Sequence, residues 1–152
     1  MTGFVPKNPD FEARVRDSFA RQGAMALIGA ELAHVAPGAV DIAVNFRPEL
    51  SQQHGFFHGG IVGTAADSAG GYAAFSLMPA DSSVLTVEYK MNLIAPADGK
   101  RLIAKGRVIK PGRTLTICQV DVFVVRGGRE HRCAVLLQTL MTMSGRNDGP
   151  KE

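Results

Sequence analysis

Between Gly60 and Leu77 the chain runs through eighteen residues without a single Lys, Arg or Glu. Ile61, Val62, Ala65, Ala66, Ala69, Ala73, Ala74 and Phe75 are spread around the whole helical wheel. A helix that is apolar on every side cannot lie on a surface, so the rest of the chain has to surround it. Its small residues let neighbouring backbones come close. Pro79 and the turn Asp81-Ser82-Ser83 end it.

What surrounds it reads mostly as strand. Val40, Ile42, Val44 and Phe46 alternate with Asp41, Ala43 and Asn45, the pattern of a strand with one wet face. About Leu27–Val35 reads as a strand before it, and Pro37-Gly38 as the turn between them. Four more strands are expected at about Val84–Ile94, Arg101–Ile109, Thr114–Arg126 and Glu130–Met143. The connections 95–99, 110–112 and 127–128 are short and rich in Pro and Gly, which predicts an antiparallel meander. Before all this, Phe11, Val15 and Phe19 form an i, i+4, i+8 stripe on a helix from Phe11 to about Gln22, closed by Gly23. The expectation is an α+β fold: a long central helix wrapped by a curved antiparallel sheet of about six strands, with a short N-terminal helix. Residues 1–24 are the helical segment, 25–143 the domain and 144–152 a disordered polar tail. Both faces of the strand at 114–126 are partly apolar, so one helix cannot cover the sheet and a second subunit is expected on the other side.

A chain of 152 residues with 45% apolar and 20% charged residues fits one globular domain and excludes disorder for its bulk. Seventeen Lys and Arg against 14 Asp and Glu leave +3, without any like-charge block or aromatic-interleaved basic run. Nothing there requires nucleic acid, and a small anion such as a nucleotide-bearing coenzyme suits the surplus. Cys118 and Cys133 do not make a disulfide framework. A hairpin centred on 126–129 would pair Cys118 with about Leu137, which leaves Cys133 roughly 13 Å away along the strand. With no export-signal pattern and no apolar run of membrane-spanning length, the expected setting is cytoplasmic, with no membrane partner.

His58-Gly59-Gly60 marks the start of the helix. A helix N-terminus leaves backbone N–H groups unpaired, and glycines there let a carbonyl or anionic oxygen approach. Donors fixed in this way stabilise the charge that develops on a carbonyl oxygen in acyl transfer; a glycine turn that merely starts a helix is the plainer alternative. Asp67 is the only charged side chain of the helix, among Gly63, Thr64, Gly70 and Gly71. It is either satisfied by a local hydroxyl such as Thr64 or Ser68, or is a general base or nucleophile facing a groove. Eight residues separate Gly59 from Asp67, roughly 12 Å along one helix. One acyl group cannot touch both within a chain. If both act, they belong to different chains of a dimer.

The run from Gln52 to Ala69, with His58-Gly59-Gly60 and Asp67, resembles the signature of hotdog-fold acyl-CoA thioesterases of the PaaI (phenylacetyl-CoA thioesterase) type. Thr86–Ala97 is similar to the following strand of that family, and Lys110-Pro111-Gly112-Arg113 to its next turn. The resemblance covers about 25–143. It implies that the Gly59 N–H polarises the thioester carbonyl and that Asp67 is the nucleophile or the base that activates water. It implies a positioning amide at Gln52, where this subgroup usually carries Asn, with Gln53 as the adjacent alternative. Thr86 would orient the carboxylate or water. From the residues themselves, His58 is either structural or lines the substrate beside Gly60, and Lys110 and Arg113, flanking the turn at Gly112, either hold coenzyme phosphates or are solvated turn residues, the more frequent case. His54 and His58 lack a third ligand in register, so no metal is expected, and no cofactor beyond the CoA substrate.

The preferred expectation is hydrolysis of an acyl- or aryl-CoA thioester by a homodimer with shared sites, paired again into a dimer of dimers. A thioester suits a site with one carboxylate and oxyanion donors, because its thiol leaves without strong acid assistance. The alternatives are a non-catalytic acyl-CoA-binding sensor, which leaves Asp67 without a role, and an enoyl-thioester hydratase, which usually pairs its Asp with a nearby His that 68–130 lacks.

Overall fold

The computed structural model describes residues 3–149. In chain order the elements are α1 (Phe11–Ala20), α2 (Gly23–Ile28), β1 (Ala30–Ala36), β2 (Ala39–Asn45), α3 (Gly59–Phe75), β3 (Ser82–Leu93), β4 (Arg101–Lys110), β5 (Leu115–Arg126) and β6 (Arg129–Ser144). A 3-10 turn, Pro48–Leu50, lies in the loop before α3. Six antiparallel strands form one curved sheet around α3, as the hotdog resemblance implies.

The helix is where its composition requires it. Val62, Ala65, Ala66, Ala69 and Ala73 are fully buried. On β4, a Cβ at Gly106 would sit 2.4 Å from the carbonyl carbon and oxygen of Ala69, so the strand lies directly against the helix backbone. At the far end Ser76 is buried but satisfied, donating to Ala73 O at 2.7 Å and accepting from Gly38 N at 2.8 Å. Arg14 of α1 donates to Pro79 O at 2.7 Å and stacks 3.9 Å above the Phe75 ring. The α1 stripe faces inward: Val15 is buried, and Phe19 meets Tyr72 edge-on at 5.9 Å.

Three expectations about the strands need correction. The stretch at Leu27–Val35 is not one strand. Met25 and Ile28 are buried one helical turn apart on α2, Gly29 closes that helix at φ 67°, and β1 starts only at Ala30. The four later strands are not a simple meander either, because the sheet order is β1-β2-β4-β5-β6-β3. Only β4, β5 and β6 follow one another, and β3 pairs with β6 at the far edge. Seven residues, 94–100, can reach roughly 23 Å when extended, more than the roughly 14 Å across three strand spacings. A short link is therefore compatible with a crossover. Finally, Cys118 faces Gln138, not Leu137, because Cys133 is an extra residue bulged into β6 between the pairs Val122–Ala134 and Phe123–Arg132. Both thiols are free and buried.

The segment assigned to a polar tail begins inside the fold. Ser144 belongs to β6, and Asp148 accepts from Arg21 Nη2 at 2.8 Å and from Ser83 Oγ at 3.1 Å. Residues 150–152 lie outside the described residues. The outward face of the sheet keeps apolar groups in contact with solvent, including Leu115 at 46% and Leu137 at 52% exposure. No helix among the described residues is long and apolar enough to cross a membrane.

Candidate active site

His58 is the N-cap of α3, in extended conformation, and its ring Nδ1 accepts from Gly60 N at 2.9 Å. A neutral ring that accepts at Nδ1 carries its proton on Nε2. The next two donors are also used: Ile61 N and Val62 N both bond to His58 O, at 2.9 and 3.1 Å. The open helix end therefore offers a single N–H without a partner among the described residues, that of Gly59. Gly60, expected to present a second free donor, spends its N–H on the histidine cap. A Cβ at Gly59 would come within 2.9 Å of Leu93 Cδ1, so the bare position also makes room for that side chain.

Eight residues on, Asp67 is half-buried. Neither local hydroxyl satisfies it: Thr64 Oγ1 donates to Gly60 O and Ser68 Oγ to Gln22 Oε1. Its partners come from the sheet. Thr86 Oγ1 donates to Asp67 Oδ1 at 2.7 Å, and Gln138 Nε2 donates to the same oxygen. Oδ2 has no partner among the described residues. Two donors on one carboxylate oxygen fix its plane and leave the other oxygen available. Thr86 lies just before a β-bulge at Val87, a device that re-aims side chains beside functional sites.

Two clefts open along β3. The first, about 380 Å³, is lined by Asp67, Thr86, Tyr72, Leu140, Ser18 and Gln22, among others. The second, about 410 Å³, holds Gly59, Gln52, Phe56, Val62 and Leu93. Gln52 therefore shares a cleft with Gly59. Its Oε1 accepts from His54 N and, at 3.4 Å, from Phe56 N. Gln53 is exposed and does not line that cleft. Within one chain Gly59 and Asp67 are in different clefts.

Comparison with known proteins gives this geometry a family. The model of the thioesterase superfamily matches residues 54–130, which include His58, Gly59, Asp67 and Thr86. The chain belongs to the thioesterase superfamily. A structure described as a thioesterase family protein from Silicibacter pomeroyi is 47% identical, with a TM-score of 0.88 over 89% of this chain and 99% of that one. A Saccharolobus solfataricus protein named as a candidate esterase is 31% identical over 112 residues, 74% of this chain and 72% of its own. The PaaI protein from the phenylacetic acid degradation operon of Escherichia coli shares the fold, with a TM-score of 0.80 over 90% of this chain and 96% of that one at 14% identity.

In this thioesterase the turn Lys110–Arg113 lines neither of those two clefts. Lys110 and Arg113 are exposed. Gly112 serves the turn itself, because a Cβ there would lie 2.0 Å from Leu115 O. The residue that sequence reasoning missed is Gln138. Its only signal is a polar side chain in the buried phase of β6, between Leu136 and Leu140. Among the described residues the strand β3 pairs on one side only, and Leu85, Val87, Tyr89 and Leu93 are 46–56% exposed along it.

Proposed function

We propose that this thioesterase hydrolyses an acyl- or aryl-CoA thioester to the free acid and coenzyme A. The observation that carries the reading is the Asp67 carboxylate, which is half-buried, anchored through Oδ1 by two donors, and lines a cleft with Oδ2 unpartnered among the described residues. In the general-base route Oδ2 takes a proton from water, and the water oxygen bonds to the thioester carbon. The C–S bond then breaks, and the proton passes to the departing thiolate. In the nucleophilic route Oδ2 itself bonds to the carbon and the C–S bond breaks, releasing the coenzyme A thiolate; water then cleaves the mixed anhydride to the free acid and a protonated Asp67, which gives its proton to the thiolate. Both need a donor for the carbonyl oxygen, and among the described residues the Gly59 N–H is the one free at its helix end.

That donor belongs to a second copy in this proposal. Asp67 opens onto β3 at Thr86 and Gly59 at Leu93, seven residues apart on the same edge strand. Antiparallel pairing of two β3 edges about a two-fold axis near 89–90 places one protomer's Thr86 beside its partner's counterpart of position 93. Each carboxylate then faces the other chain's open helix end. The pairing also covers the exposed apolar residues of β3, a strand too long and apolar to remain a bare edge. Gln52 positions the carbonyl from the Gly59 side, His58 lines the acyl group, and Lys110 and Arg113 attract the coenzyme phosphates. Further pairing of dimers would use the outward face at Leu115 and Leu137. The reaction uses water, side chains and the Gly59 backbone N–H, without a metal or cofactor, in the cytoplasm.

The test is thiol release from benzoyl-, phenylacetyl- and straight-chain CoA esters. Wild type should turn over at least one class, and Asp67→Asn, near-isosteric and still able to bond Thr86, should lose at least ~100-fold in kcat. Ligand binding without turnover in wild type would favour the sensor alternative, and full turnover in Asp67→Asn would remove the carboxylate from the mechanism.

A further inference from the structure

Gln138 is the one buried polar group of this protein whose bonding is left half finished among the described residues. It is 0% exposed, lies between Leu136 and Leu140, and faces Cys118 across the sheet. Its Nε2 donates to Asp67 Oδ1, to Asp67 O at 3.1 Å and to Thr86 Oγ1 at 3.3 Å. Its Oε1 is the only fully buried side-chain N or O atom without a partner among the described residues. Turning the amide over would bring Oε1 against the carboxylate, so the unpaired oxygen follows from having the nitrogen on Asp67. The helix makes room for that oxygen: a Cβ at Gly70 would lie 2.0 Å from Oε1. The glycine three residues after Asp67 therefore houses an amide, not substrate.

A residue selected for packing at this point of β6 would be Leu or Met, which leaves no orphaned acceptor. We propose that Gln138 is a positioning residue, holding Asp67 Oδ1 so that Oδ2 faces the acyl group, and that Gly70 is required to seat it. The inference rests on Asp67 being the acting carboxylate. The amide accepts no proton and touches no reacting atom. Its contribution is the orientation of Asp67, because a misplacement of about 1 Å costs on the order of 100-fold in rate.

The experiment compares Gln138→Met, Gly70→Ala and the double variant with wild type and Asp67→Asn, reading kcat, KM and Tm with a CoA thioester that wild type cleaves. Gln138→Met keeps shape and volume while removing both the donor and the orphaned oxygen. Its kcat should fall about 10- to 100-fold with KM within about threefold, while Tm holds or rises. Gly70→Ala should lower kcat by a similar factor by displacing the amide, and the double variant should be no slower than the worse single variant. A Gln138→Met protein with wild-type kcat overturns the proposal, and so do parallel losses of kcat and Tm that add in the double variant. If Asp67→Asn itself keeps full activity, the reading of Asp67 has failed and not only that of Gln138.

Discussion

Cys118 and Cys133 show how position alone sets the chemistry of a side chain. Burial pushes the Cys118 thiol up to about 12 and Cys133 up to about 11 from an ordinary 9.0. A thiol reacts as thiolate, so both should resist iodoacetamide at pH 8 in the native protein and react fully in denaturant. The folded state keeps protons that the unfolded chain releases above pH 9. The contribution of these two thiols to stability should therefore be level below that pH and decline as pH climbs towards 11–12, which a Tm series of wild type against a Cys118→Ala/Cys133→Ala variant reads. Native labelling at the rate of a free thiol would contradict both expectations. The same dependence on place explains what was legible at the site. Asp67 and Gly59 are visible in the sequence because each departs from its local pattern, a charge in an apolar helix and a glycine at a helix start. Gln138 comes within reach of Asp67 only through the register of β6 in the sheet, 71 residues away. No local spacing encodes that meeting.

At the scale of elements, α3 and β4 meet at backbone distance. Gly106→Ala would force its methyl to 2.4 Å from Ala69 C and O and 2.7 Å from Gly70 N. Backbone cannot swing aside as a flexible side chain can, so strand or helix must move. Overpacking of this kind costs about 1–3 kcal/mol, and a chain of this length loses about 2–4 °C of Tm per kcal/mol. Thermal unfolding of Gly106→Ala should show a fall within that range, and an unchanged Tm would mean that the close approach does not exist. Element types were legible where periodicity is sustained: the apolar stretch of α3, the alternation in β2 and the stripe of α1. The order of strands was not. A link of seven residues satisfies both a hairpin-like return and a crossing beneath three strands, and only the partners of β3 and β4 decide between them. The short helix α2 was missed because its apolar residues run into β1 without a break except Gly29, whose left-handed turn marks the boundary.

For the whole molecule the decisive question is whether a complete site lies within one chain or between two. Roughly 12 Å of helix separates Gly59 from Asp67, so a shared acyl group requires two chains. In the proposed shared site, Asp67→Asn removes one half. Gly59→Pro removes the other: it deletes the free N–H, proline is well tolerated at the first helical position, and His58 already has the extended φ −63°, ψ 138° that a following proline requires. Each variant alone should be inactive. Mixed by unfolding and refolding at equal amounts, about half of the dimers are heterodimers. In each of these, one site combines both lesions and the other has neither. Activity should recover to about a quarter of wild type. The double variant Asp67→Asn/Gly59→Pro supplies the opposite arm. Paired with wild type, it spoils both shared sites, so adding it in excess should suppress activity towards zero. If each chain carried its own complete site, the single variants would give no recovery on mixing and the double variant would leave the wild-type chains at full rate.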